Sequence, residues 1–177
     1  MSDETDVKRL LSVMATAIQS HTSSNNYAAP LMIGIKTGGA WVANRLHQQL
    51  EYKDPLGELN IAFYRDDFST LGMHPAVSPS QLPVDINDRH IILVDDVLYT
   101  GRTIRAAMNE IFDYGRPASI TLAVLIDRSN TRELPIQPDI IGKTIAVNAE
   151  EHVKLLGPEP LTISIDTVRS TGTQKTG

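Results

Sequence analysis

The chain has 177 residues, 41% of them hydrophobic and 21% charged, with a formal net charge of −5. That length suits one domain with a sizeable core, and the acidic balance disfavours a nonspecific nucleic-acid binder, whose surface is basic overall. With no cysteine, disulfides, thiolate catalysis and cysteine-ligated metals are excluded. No apolar run approaches the ~20 residues that span a bilayer, and MSDETDVKR carries no signal-peptide core, so a soluble cytoplasmic protein is expected.

Asp3 to about His21 predicts an amphipathic helix, with Val7, Leu10, Leu11, Met14, Ala17 and Ile18 at three- and four-residue spacings. Thr22 to Asn26 reads as a polar loop. Leu31 to Ile35 predicts a short buried strand, Lys36-Thr37-Gly38-Gly39 the turn at its carboxyl end, and Ala40 to about Leu50 a helix. The glycine pair allows turned-in backbone N–H groups to form an anion nest, although strand-to-helix turns often use glycine for geometry alone. Trp41 is expected in the core rather than beneath a ligand.

Asn60 to Tyr64 predicts the next strand, with Arg65-Asp66-Asp67 after it. The segment of about 65–88 holds Pro75, Pro79 and Pro83 and shows no clean periodicity. It reads either as a disordered insertion or, the preferred reading, as a flexible flap that closes over a substrate and excludes water.

Ile91 to Val94 is a β-branched and aliphatic run that predicts a strand buried on both faces. Asp95 and Asp96 follow, then the loop Leu98-Tyr99-Thr100-Gly101 and a helix from about Arg102 to Tyr114, ended by Gly115 and Pro117. Acids at a strand end can be plain solvated loop, and Thr-Gly can be a plain helix cap. Their order makes a sugar-phosphate cradle: acids for a ribose diol or hydrated magnesium, hydroxyls and a glycine for close approach, and a helix N-terminus for phosphate. Walker and Rossmann glycine spacings are both absent.

Ile120 to Ile126 predicts another buried strand, stopping at Asp127-Arg128. An aliphatic side chain at such a strand end can pack on a flat base, while an exposed ion pair is the plainer alternative. Ser129 to Lys143 reads as a proline-interrupted connection into a strand-like region around Ile145 to Leu156, and 169–177 as a polar tail. The five histidines, His152 among them, fit no metal-binding spacing. No linker interrupts the chain, so 1–177 reads as a single domain. Apolar strands beginning near 31, 60, 91 and 120 alternate with helices or longer connections, which predicts an α/β fold with a doubly wound, mainly parallel sheet flanked by helices. Ligands of such sheets bind where the loops gather at the strands' carboxyl ends.

The string VDDVLYTGRTIRAAM, with GIKTGG, YRDD, GRP and RELPI…IGK, resembles the phosphoribosyl-pyrophosphate (PRPP) signature of type I phosphoribosyltransferases. Among them it is most similar to the pyrimidine-operon regulators that are also uracil phosphoribosyltransferases, and the likeness runs from about Val7 to Lys143. The resemblance implies a small hood over the sheet, a flexible loop near 65–88, and conversion of uracil and PRPP to UMP and pyrophosphate with Mg²⁺. It assigns the 5′-phosphate and ribose to Asp95, Asp96, Val97, Leu98, Tyr99, Thr100, Gly101, Arg102 and Thr103. Pyrophosphate falls to Lys36, Thr37, Gly38, Gly39 and Arg65, and the base to Ile126, Asp127 and Arg128. Asp95, Asp96 and Arg65 become the catalytic residues, with Mg²⁺ held mainly through PRPP and within reach of the two acids. The regulators usually carry Thr-Arg-Gly where this chain has Thr37-Gly38-Gly39, which removes one cationic contact.

The alternative class is an RNA-binding attenuation regulator that responds to UMP- or UTP-type nucleotides and has little or no enzymatic activity. The resemblance would place its RNA face at Lys8, Arg9, Arg132 and Lys143. Leu10 to Ser20 contains no basic residue, however, and Asn130-Thr131 and Gln137 stand where more basic sequence is typical, so the enzyme reading ranks first. Orotate would call for an extra cation in the base pocket, which the sequence alone does not place. Such proteins are usually homodimers or higher homo-oligomers.

Overall fold

The most apolar runs of the sequence become the central strands of a parallel sheet, and their alternation explains why the runs are unbroken. In the computed structural model, which describes residues 4–61 and 80–167, the elements in chain order begin with α1 (Glu4–Ser24), β1 (Leu31–Ile35), α2 (Gly38–Gln49) and β2 (Gly57–Leu59). They continue with β3 (His90–Leu98), α3 (Arg102–Tyr114), β4 (Ser119–Arg128), β5 (Ile140–Ile145), β6 (Glu151–Leu156) and β7 (Thr162–Thr167). The first five strands form one parallel sheet in the order β2-β1-β3-β4-β5.

Side chains of a strand point alternately to its two faces, and here both faces are covered. Met32, Ile92, Val94, Ala123 and Leu125 pack with Leu10, Met14 and Ile18 of α1 and Val42 and Leu46 of α2. Their neighbours Leu31, Ile33, Ile91, Leu93, Leu122 and Val124 pack on the other face with Ile104, Ala107 and Ile111 of α3. Ile18, Leu46, Ile92 and Leu93 are completely buried, and each such side chain contributes about 1.5–3 kcal/mol over exposure.

Four boundaries differ from the sequence reading. Helix α1 runs through Ser24 because Thr22 Oγ1 donates to Ile18 O (2.9 Å) and Asn25 Nδ2 to His21 O (2.8 Å), so polar side chains extend the helix instead of breaking it. Strand β2 is Gly57–Leu59 rather than a strand from Asn60; Ala62 to Tyr64 lie outside the described residues, as do Arg65 to Pro79 of the expected flap. Of that flap, 80–88 is described and docked: Gln81 and Glu58 exchange both backbone bonds (2.8 and 2.7 Å), and Ile86 is buried on the α3 side. Strand β5 forms at Ile140–Ile145, beginning within the stretch read as a connection to Lys143, because pairing with β4 supplies what its broken apolar pattern lacks.

The chain then leaves the sheet. The antiparallel pair β6–β7 forms a separate two-stranded unit, anchored by Leu155, Leu161 and Ile163 in the α1–α2 core. Arg45 of α2 pairs with Glu159 of the connecting turn, and Trp41 packs against Gly157, where an added Cβ would lie 2.9 Å from its ring. Trp41 therefore seats this hood on the domain. Among the described residues no helix is long and apolar enough to cross a membrane.

Candidate active site

The strand order reverses direction between β1 and β3, and a doubly wound sheet opens a crevice at the carboxyl ends of such a pair. A cleft of about 490 Å³ lies there, lined by Thr37 and Gly38, by the whole stretch from Asp95 to Ile104, by Arg128, and by His152 to Leu156 of the hood.

Helix α3 enters the cleft amino end first. Gly101 occupies its cap position with φ 94°, a left-handed conformation that costs glycine little, and it offers no side chain to the first N–H groups. Arg102 N lies 3.3 Å from Thr100 Oγ1. An uncapped helix end carries partial positive charge and free donors, which is what a phosphate needs. Helix α2 does the same from the other side: its cap residue Thr37 makes no side-chain cap bond, and Thr37 and Gly38 face the cleft.

The loop before α3 is braced from behind by the chain after β4. Arg132 Nη1 donates to Tyr99 O (2.6 Å), Thr131 Oγ1 donates to the same oxygen (3.1 Å), and the Glu133 and Leu134 amides donate to Thr100 O (3.0 and 3.2 Å). Arg102 closes the brace through Glu133 (2.8 Å). Four of these five bonds end on main-chain oxygens, which leave no mark in a sequence.

Strand β3 continues through the acids to Leu98, so Asp95 and Asp96 are set on a paired strand rather than in a loop. Asp95 is 3% exposed and accepts the Asp96 amide (3.0 Å); Asp96 is half-buried. The β1–α2 turn presses against both. A Cβ on Gly38 would lie 2.1 Å from Asp96 Oδ2, and one on Gly39 would lie 2.8 Å from Val94 O. Two helix N-termini without side-chain caps thus flank a pair of carboxylates.

The remaining site candidates are distributed unevenly. Lys36 turns away from the cleft, 3.4 Å from Glu58, and lines a neighbouring cavity with Thr37, Trp41 and Arg45. Arg65 lies outside the described residues. Of the base candidates, Ile126 is 1% exposed in the core, and Asp127 pairs with Arg132 (2.6 Å) beside a separate cavity. Arg128 is the one that reaches the cleft, its guanidinium 4.0 Å above the Tyr99 ring. The hood residues His152, Val153 and Lys154 also line the cleft, which their sequence could not announce because a short alternating strand says nothing about what it covers. Of the residues considered for RNA, Lys8, Arg9 and Lys143 are exposed, Arg9 lying 3.9 Å from Asp6, and Arg132 is bound to Asp127 and Tyr99.

A magnesium ion fits this arrangement only with help from a substrate. Among the described residues no group of three or more histidines and acids could hold a metal, but Asp95 and Asp96 supply two oxygen donors of the kind Mg²⁺ shares with phosphates.

Residues 5–157 match the model of the phosphoribosyl transferase domain. The bifunctional protein PyrR of Nitrosococcus oceani is 56% identical over 168 residues, covering 94% of each chain. That of Pseudomonas aeruginosa is 53% identical over 154 residues, covering 87% of this chain and 90% of its own. Among solved structures, hypoxanthine phosphoribosyltransferases of Trypanosoma cruzi (20% identity, TM-score 0.64, covering 84% of this chain and 77% of that one) and Staphylococcus aureus (19%, TM-score 0.64, 95% and 90%) share the fold. With its cleft built at the β1–β3 crevice and this likeness over most of its length, the chain belongs to the phosphoribosyltransferase family, in the group of bifunctional PyrR proteins.

Proposed function

We propose that this protein transfers the phosphoribosyl group of PRPP to uracil, giving UMP and pyrophosphate. The observation that carries the reading is the convergence of two uncapped helix N-termini on a cleft with two carboxylates between them. Loss of pyrophosphate leaves positive charge on the ribose and puts negative charge on the leaving group. A site of this kind works by holding both, without a strong base or a nucleophile.

In this reading the Thr100, Gly101 and Thr103 end of α3 takes the 5′-phosphate, and Asp95 and Asp96 take the ribose hydroxyls and face the developing cation. Thr37, Gly38 and Gly39 take pyrophosphate, with Arg65 as its cationic partner; Lys36 joins only by leaving Glu58. Mg²⁺, held by PRPP oxygens with Asp95 and Asp96 in reach, would neutralise phosphate charge. Arg128 and the hood enclose the base. The protein works in the cytoplasm as a homodimer or higher homo-oligomer.

The test is UMP formation from uracil, PRPP and Mg²⁺, with hypoxanthine and orotate run in parallel. Turnover confined to uracil supports the reading; turnover confined to another base overturns its choice of substrate. The bifunctional designation of the relatives supports a second role; following the resemblance, that role is binding RNA in response to UMP or UTP, through Lys8, Arg9 and Lys143. Arg132 enters that surface only if it gives up Asp127 and Tyr99.

A further inference from the structure

Lys36 and Glu58 meet because of the sheet register. Gly34 of β1 pairs with Glu58 of β2, and side chains alternate along a strand. Lys36 therefore leaves on the same face as Gly34 and lies diagonally across from Glu58. That face is the one α2 covers: a Cβ on Gly34 would lie 2.7 Å from Ala40 Cα. Lys36 Nζ stands 3.4 Å from Glu58 Oε2, the two side chains 23% and 35% exposed. The pair lines a cavity of about 540 Å³ together with Thr37, Trp41 and Arg45, and Arg45 is itself held by Glu159.

An anchor steadies a turn only if it is fixed itself. Strand β2 is three residues long and lies at the edge of the sheet. On its outer side Glu58 and Gln81 exchange both backbone bonds, and Ser80 Oγ accepts the Asn60 amide (2.9 Å) while donating to Glu110 of α3. On its inner side Leu59 O accepts the Lys36 amide (2.8 Å). Bonded on both sides, β2 holds Lys36, the first residue of the β1–α2 turn, through main chain and side chain alike. The next residues, Thr37 and Gly38, line the catalytic cleft, where the turn presses on Asp96. A turn that binds an anion through backbone N–H groups works only while those groups stay aimed.

Resting on the assignment of pyrophosphate to this turn, we propose that Lys36 and Glu58 are positioning residues. Their ion pair braces the turn from behind and keeps the Thr37 to Gly39 amides aimed into the cleft, and Lys36 stays on Glu58 when pyrophosphate binds. A Lys36 that contacts pyrophosphate makes the opposite demand. Glu58 would then compete with the ligand, and its removal would free the cation for it.

The experiment is calorimetric titration of the full chain with Mg²⁺-pyrophosphate, alongside the PRPP KM in the UMP assay. Glu58→Gln is expected to weaken pyrophosphate about 3- to 10-fold and to raise the PRPP KM similarly, with the uracil KM unchanged. Lys36→Glu should cost at least as much. The exchange of both residues, Lys36→Glu with Glu58→Lys, should bring both values back to within about twofold of wild type. Trp41 is the one tryptophan of the chain and lines the same cavity, so unchanged emission shows that the packing of α2 and the hood is intact. Where Glu58→Gln alters that emission, Glu58→Asp replaces it, keeping the charge and shortening the reach, with a smaller loss expected. Tighter pyrophosphate binding in Glu58→Gln, or an exchanged pair no better than Lys36→Glu alone, puts Lys36 on the ligand and overturns the proposal. A lower Tm with unchanged pyrophosphate affinity makes the pair merely structural and overturns it too. If the wild type binds no pyrophosphate, the proposal falls together with the assignment of the turn. If the variants behave as expected but no base is turned over, the brace stands and the enzyme reading falls.

Discussion

Gly38 and Asp96 share a space that admits only one side chain. An added Cβ at 38 would lie 2.1 Å from Asp96 Oδ2 and 3.1 Å from Asp96 Cβ, so swinging the carboxylate away relieves only part of the clash. The turn after β1 and the acids ending β3 are therefore fitted to each other, and a change in one displaces the other.

Gly38→Ala should consequently impair the enzyme through Asp96. The expected loss is about 10-fold or more in kcat/KM for PRPP, with a stability cost of about 1–3 kcal/mol by chemical denaturation, as for other overpacked sites. Gly38→Arg, which introduces the arginine usual in the resembled regulators, should be worse rather than better, because every side chain begins with the same Cβ. A lower PRPP KM in Gly38→Arg would refute this account.

Asp96→Asn keeps the shape of the side chain and removes its charge. Half-buried and facing the cleft, Asp96 is expected to matter to the transition state more than to the fold. The predicted outcome is a fall in kcat of about 10²- to 10³-fold, the scale of losing one preorganised electrostatic partner, with Tm little changed. Full turnover in the variant would remove Asp96 from the mechanism.

Arg132→Ala tests the brace behind the Tyr99–Gly101 loop. It removes the bond to Tyr99 O and leaves Asp127 without its cation. The expected result is a higher PRPP KM and a stability loss of about 1.5–3 kcal/mol, the range for hydrogen bonds to charged groups. In a double-mutant cycle Asp127→Asn should recover part of the stability but not the KM, separating the ion pair from the loop contact. An unchanged PRPP KM would show that the loop holds its shape unaided.

RNA affinity, if present, should depend weakly on salt. With Arg132 engaged, Lys8, Arg9 and Lys143 remain as the cations considered for the RNA face. Three phosphate contacts correspond to a slope of log K against log salt of about −2 to −3. Charge removal at Lys143 should flatten it by about one unit across all RNA sequences tested. A slope steeper than about −5 would require a different and larger basic surface.

β1, β3, β4, the helices and the loop that lines the cleft from Asp95 to Thr103 were legible in local pattern alone. Strands buried on both faces must be apolar at every position, so Leu31–Ile35, Ile91–Val94 and Ile120–Ile126 stand out without knowledge of their neighbours. The loops that follow them carry the acids, glycines and hydroxyls in fixed order, which made Asp95 to Thr103 legible as a site. The remaining elements depend on contacts between distant parts of the chain. β5 is punctuated by Gly142, Lys143 and Thr144 and becomes a strand because β4 offers it an edge. The hood closes on the cleft because Leu155, Leu161 and Ile163 find a core made by helices far earlier in the chain. Asp127-Arg128 read either as an exposed ion pair or, from the resemblance, as base-binding residues; folding gave Asp127 to Arg132 and buried Arg128 against Tyr99. Local pattern records what a residue's own strand or helix demands of it. Which distant group it then meets is set by the packing of the whole chain.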